Sequence, residues 1–221
     1  MAANQYVALG TIFEDCGGGD IAVKDVVRVG APVGSGSIGN SDQIWRWDTA
    51  SSTWTKYYYY SSRGVTRWVV STNNKEETAD TIPAGETFFF LRAPGSATTD
   101  LTLAGQVKAA TGSKSFTVAA NQLAFASNPW PTALTIKDFN NYYASGSPVG
   151  SGSIGNSDQI WLWNTSTSTW TKYYFYSSRG VTRWVVSTNN KEETSDTIPV
   201  GVGFFFQRAP GSAPATVTFE Q

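Results

Sequence analysis

Apolar positions along this chain come in short runs and not in helical stripes. "QIWRW" at 43–47, "TWTKYYYY" at 53–60, "TRWVVS" at 66–71 and "TFFFLR" at 87–92 are rich in Trp, Tyr, Phe, Val and Thr. Such residues fit a pleated, half-buried surface. Between the runs lie "DTASS", "SSRG", "STNNKEET" and "APGSATT", clusters whose Gly, Asn, Asp, Ser and Pro supply turn geometry. "WRWDTASSTWTK" reads as a hairpin of two aromatic strands around a short polar loop. Alternation puts Trp45 and Trp47 on one face of their strand and Arg46 and Asp48 on the other. The Trp pair is expected toward the core and the charged pair toward solvent. In the next strand Trp54, Lys56, Tyr58 and Tyr60 share one face, and Thr55, Tyr57 and Tyr59 the other. Both faces carry aromatics, so both are expected to be covered. No long stretch has the i, i+3, i+4 pattern of an amphipathic helix. The nearest approach is "TIKDFNNYY" at 135–143.

The pattern then repeats. Residues 34–97 and 150–213 align without a gap at an offset of 116, with 54 of 64 positions identical. Weaker matches extend the copies: "AANQ" at 2–5 with 119–122, "IAVKD" at 21–25 with "LTIKD" at 134–138, and "LTLAGQ" with the closing "VTFEQ". A period this long is a duplicated domain and not a solenoid or a propeller blade. The expected fold is all-β: two tandem sandwich or barrel-like domains in a pseudo-twofold or head-to-tail relation. The first would span 1–107, the linker 108–115 and the second 116–221.

"GSGSIG" at 34–39, returning at 150–155, spells the glycine pattern of a dinucleotide-binding turn. That turn needs a hydrophobic strand before it and a helix after it, so that the helix N-terminus meets the pyrophosphate. Here Ala31, Pro32 and Val33 precede it and "NSDQIWRW" leads into a strand. A glycine loop, where the missing Cβ avoids a clash, is the expectation.

The ten differing positions compare one module in two settings. Arg46 becomes Leu162, Glu86 becomes Val202 and Leu91 becomes Gln207. Apolar groups gained at exposed sites would bring nothing unless the copies meet different neighbours. Leu162 and Val202 are therefore expected on a contact surface, with the other copy or with another molecule, against the alternative of neutral drift. Tyr59 against Phe175 shows that this hydroxyl is not required in both copies.

Composition narrows the chemistry. Without histidine the chain lacks the usual general base and commonest metal ligand. The single Cys16 allows no internal disulfide; it is a free thiol or a link between chains. Glu76 and Glu77, with copies Glu192 and Glu193, read as solvated loop residues and not as a glycosidase pair. Glu14, Asp15 and Asp20 in "EDCGGGD" do not follow calcium-loop spacing. No enzyme, cofactor or metal site is expected. The net charge of −1, without a Lys/Arg cluster, points away from nucleic acid. No apolar stretch reaches the roughly 20 residues of a membrane span.

Aromatic side chains have two uses here. They can fill a core, or Trp54, Trp68, Trp170 and Trp184 can form sugar-stacking platforms, giving a two-site glycan binder with an avidity gain. Lys56 and Lys172, inside the aromatic strand, can lie over a ring, pair with a carboxylate, or join Asn in an isopeptide bond as in some bacterial surface domains.

"SDQIWRWDTASSTWTKYYYY", "TRW" and "IPAGETFFFLRAPGS" followed by "LTLAGQV" together resemble duplicated Trp/Tyr-rich β modules of exported bacterial surface proteins. The resemblance covers most of each copy and brings no catalytic residues. It implies export and a surface or matrix role, with a leader that this sequence does not carry. The expected function is a non-enzymatic structural subunit of an extracellular or cell-surface assembly whose partner is itself. Assembly would pass through β-edges and apolar contacts, with Tyr6, Val7, Leu9 and Ile12 on a donated strand at 4–13, and with Leu91, Leu162 and Val202. The alternatives are the lectin-like module, with glycans as partners, and a viral decoration or tail protein.

Overall fold

In a computed structural model of the chain, described for residues 1–221 apart from 12, 15–18, 27, 31, 73–74, 84, 104–105, 108–112, 189–190 and 221, the runs form antiparallel strands in two groups, one from each copy. Ile12 and Cys16 thus lie outside the described residues. In the first group β1 (Tyr6–Gly10), β2 (Gln43–Asp48), β3 (Thr53–Ser62), β4 (Val65–Val70) and β5 (Thr87–Leu91) make one sheet of order β1-β5-β2-β3-β4. The second group opens with β6 (Ser113–Val118), which begins inside the expected linker, followed by β7 (Leu123–Ser127) and β8 (Tyr143–Ser145). Then come β9 (Gln159–Asn164), β10 (Thr169–Ser178), β11 (Val181–Val186), β12 (Gly203–Gln207) and β13 (Ala215–Glu220). Its large sheet, β7-β12-β9-β10-β11, repeats the first order, and β6-β13-β8 form a smaller sheet.

The expected hairpin is present: β2 pairs with β3 from Gln43↔Tyr58 to Asp48↔Thr53, which sets Trp47 opposite Trp54. The helix-like stretch at 135–143 forms a 3₁₀ helix, Ile136–Tyr142, and its first-half counterpart is one short α-helical turn, Val23–Val26. Seven residues with only Ile136 and Phe139 buried offer one short apolar edge, not the two-turn stripe that holds an α-helix to a core.

Alternation explains why "TFFFLR" is apolar throughout. Phe88 and Phe90 join Ile44, Tyr57, Trp68 and Ile82 in the first half's own core, while Phe89 points the other way. Phe204 and Phe206 do the same with Ile160, Tyr173, Trp184 and Phe139, leaving Phe205 on the far face. A strand buried on both faces reads as an unbroken apolar run. The faces carrying Phe89 and Phe205 pack together and form a third core between the halves.

The glycine loop leads into β2 and not into a helix, and it is cross-braced by serines. Ser35 N donates to Ser41 Oγ at 2.9 Å, and Ser41 Oγ donates to Ser37 O at 2.9 Å around a short 3₁₀ turn, Ile38–Asn40. Space demands Gly34: a Cβ there would lie 2.7 Å from Tyr59 O. Gly36 and Gly39 face open space.

Candidate functional site

The face between the halves is lined by aromatic side chains from both. Tyr6, Ala8, Trp45, Trp47, Trp54 and Phe89 meet Leu123, Phe125, Trp161, Trp163, Trp170 and Phe205. Trp45 and Trp47 thus face inward as expected, but toward the other half. Phe125 stacks on Phe89 at 5.0 Å and on Phe205 at 4.4 Å. Ring pairs of this kind contribute roughly 0.5–1.5 kcal/mol each beyond the area they bury.

Polar contacts across this face come in reciprocal pairs. Trp47 Nε1 donates to Leu123 O at 2.9 Å, and Trp163 Nε1 donates to Tyr6 O at 2.9 Å. Gln122 Nε2 donates to Thr49 O, and Gln5 Nε2 to Thr165 O. Leu9 bridges Val202, and Glu86 bridges Ala126. Each contact is matched by one between the equivalent residues with the halves exchanged, as in an isologous two-fold interface. β1 lies over β9 (Tyr6–Trp163, 6.2 Å) and β3 over the edge strand β7 (Trp54–Phe125, 5.9 Å). The outer strands β4 and β11 therefore run at opposite ends of the stack.

The residues singled out from sequence now have places. Tyr6 lies in the inter-half core, whereas Val7 and Leu9 pack on the first half's own core. Leu91 pairs with Tyr6 and Gln43 inside the sheet. Leu162 packs on the second half's core, and Val202 meets the other half through its bridge to Leu9. β1 sits in its own sheet beside β5, and its outer edge is taken by the Trp163 indole and by Gly10 N donating to Gly201 O at 2.8 Å. Trp54 and Trp170 are in the inter-half core. Trp68 and Trp184 are buried in their own halves, and Trp184 Nε1 donates to Asn140 Oδ1 at 2.9 Å. Protein therefore covers Trp68 and Trp184 and part of Trp54 and Trp170, the rings considered as sugar platforms. Lys56 Nζ lies 3.8 Å over the Trp45 ring and Lys172 Nζ 3.7 Å over Trp161, a cation–π arrangement in both copies.

A groove of about 600 Å³ opens between the halves where β6 passes. Its lining includes Arg46, Asp48, Ala50, Glu86 and Thr87, five of the ten positions at which the copies differ. Arg46 shares its face with buried Ile44 and does not simply point to solvent: it bonds Glu86 at 2.6 Å, half-exposed at the groove's rim. The second half has Leu162 and Val202 at these two positions, so two apolar residues stand where the first half has an ion pair. Lys114, Trp47 and Phe116 are also in the groove's lining.

One pair of residues escaped the sequence reading. Asp42 and Arg92 form a buried ion pair, and so do Asp158 and Arg208 at 2.6 Å. Asp42 also accepts from Val33 N and Ala93 N, which fixes the start of the glycine loop to the end of β5. In the second half the Tyr143 hydroxyl adds a bond to Asp158 at 2.7 Å; burial first, then the Asp158 charge, pushes that phenol up. The signal was a charged residue bordering each apolar run in both copies, "SDQIW" and "FFFLR"/"FFFQR".

A further duplicated surface is the β3–β4 hairpin and its copy β10–β11. Val65 and Val181, exposed by 44% and 43%, stand at its tips. Behind them Tyr60 has Lys75 at 5.2 Å and Arg67 at 6.0 Å over its ring, and Tyr176 has Lys191 at 5.1 Å. No family model, curated protein or solved structure matches the chain. The functional reading therefore rests on these surfaces. Among the described residues no group of three or more His, Cys, Asp or Glu is placed to hold a metal, and no helix is long and apolar enough to cross a membrane.

Proposed function

We propose that the chain is a non-enzymatic structural subunit of an extracellular or cell-surface assembly. In this reading it is two tandem β-sandwich-like domains closed on each other, with neighbours joined through the exposed hairpin at each end. One observation carries the proposal. The aromatic faces are spent between the halves, while the same hairpin, with an exposed valine at its tip, is presented at opposite ends of the stack. A block that carries a like connector on the outer strand at each end can extend in a line. The resemblance to exported surface modules agrees with this reading. Assembly contacts are thereby assigned to Val65 and Val181 in place of the strand at 4–13. Negative-stain electron microscopy of the wild type and of Val65→Asp/Val181→Asp at rising concentration tests it. Filaments or layers from the wild type alone are expected. Dispersed particles from the wild type at every concentration would contradict it.

A second reading has an observation of its own. The inter-half groove combines aromatic edges, Trp47 and Phe116, with the polar groups of Arg46, Asp48 and Lys114, a lining suited to a glycan. Trp47→Phe would then abolish a saccharide-induced change in Trp fluorescence while the fold persists.

A further inference from the structure

Where a two-fold axis passes between two copies of one surface, each residue near the axis faces its own equivalent. In this chain two such self-facing positions are held by unlike residues. Gly10 and its equivalent Ser127 face each other, as do Thr87 and its equivalent Gly203. A Cβ on Gly10 would come closer than 3.0 Å to Ser127 Cβ, and one on Gly203 would come equally close to Thr87 Cγ2. Neither glycine has positive φ, so space and not backbone conformation demands it. The Ser127 contact is with Cβ itself, which no rotamer moves. A third position obeys the same rule. Phe125 is wedged between the equivalent rings Phe89 and Phe205, and its own equivalent is the small Ala8.

The consequence depends on which halves meet. First half against first half would set Thr87 against Thr87 in a closed space, leave a gap at Gly10, and leave the slot between the phenylalanines empty. Second half against second half would set Ser127 against Ser127 and bring two Phe125 rings to one slot. Only unlike halves match large to small at all three places. Overlap and voids each destabilise a packed core, so the differences act together as a pairing code.

We infer that the inter-sheet face of each half accepts the unlike half and excludes a copy of itself. The partner this surface fits is the other repeat. The inference does not rest on the proposed assembly role. A double-variant cycle in the full chain tests it, read by thermal unfolding. Gly10→Ser should lower the midpoint by about 4 °C or more, or prevent folding, because two serines then overlap. Ser127→Gly should lower it by about 2–4 °C, because a gap replaces the side chain. Gly10→Ser/Ser127→Gly reverses the code and should return to within about 2 °C of the wild type. The second pair, Thr87→Gly and Gly203→Thr, should repeat the pattern with partial recovery in the double variant, because a side chain on Gly203 also meets the Phe125 ring. Recovery shows coupling across the axis, which two unrelated local defects would not produce. A Gly10→Ser chain as stable as the wild type, or a reversed pair no better than its worse single variant, would overturn the inference.

Discussion

Arg63 and Arg179 sit at φ 52, each followed by a glycine at φ 79, at the tips of the β3–β4 and β10–β11 hairpins. Two consecutive positive-φ residues make the turn that matches strand twist, and Asn-Gly fills it best. Arg63→Asn should therefore raise the unfolding free energy by roughly 0.5–1 kcal/mol, measured by chemical denaturation. The buried pair behaves oppositely. Arg208→Met would strand Asp158, whose side chain is fully buried, and should cost about 3–5 kcal/mol. Tyr57 adds a pH dependence. Burial first, then the bond from its hydroxyl to Asp80 at 2.9 Å, pushes the phenol up to about 12. The fold therefore favours the neutral phenol. Its contribution is complete below about pH 10, the ordinary tyrosine value, and is lost as pH rises through 12. Tyr57→Phe should flatten that alkaline loss in stability measured against pH. At this scale the face of each aromatic was legible, because alternation is local. Its covering was not: period two says which side chains share a face, not what lies above them. The Asp42–Arg92 pair was hidden for a related reason, since its partners are 50 residues apart and meet only once β2 and β5 lie side by side.

The strands and the aromatic hairpin were readable because β-branched and aromatic runs between turn clusters are strong signals. The order β1-β5-β2-β3-β4 was not, because it pairs the first strand of the sheet in sequence with the last. That pairing changes the expected role of the strand at 4–13. β1 supplies Tyr6 and Ala8 to the inter-half core and Val7 and Leu9 to the first half's own. Deleting residues 1–13 should therefore lower the unfolding midpoint sharply or prevent folding. Circular dichroism melting of the truncated chain checks this: a midpoint equal to that of the full chain would remove β1 from the account. The glycine loop, by contrast, was legible from its context. Its spacing matches a dinucleotide-binding turn, but the residues after it read as a strand, and the loop does run into β2, braced by serine hydroxyls.

For the whole molecule, the duplication explains both the likenesses and the differences of the copies. Their shared aromatic faces close on each other through reciprocal bonds, and five of the ten differences line the groove where β6 breaks the symmetry. That a second copy existed was plain from the sequence. That it serves as the first copy's cover was not, because no local pattern distinguishes an intramolecular partner from an external one. Any exchange of halves between chains would pair a first half with a second half. The closed aromatic face supports the proposed assembly through the outer hairpins, because the aromatic faces of the two halves are occupied by each other. Hydrogen exchange at the indole N–H groups of the dilute monomer, resolved by NMR, tests it most directly. The Trp47 and Trp163 indoles, bonded to Leu123 O and Tyr6 O in the other half, are predicted to exchange slowly, near the rate of buried Trp184. Fast exchange at both in a folded monomer would mean that the halves stand apart, and that the aromatic faces are free for another partner.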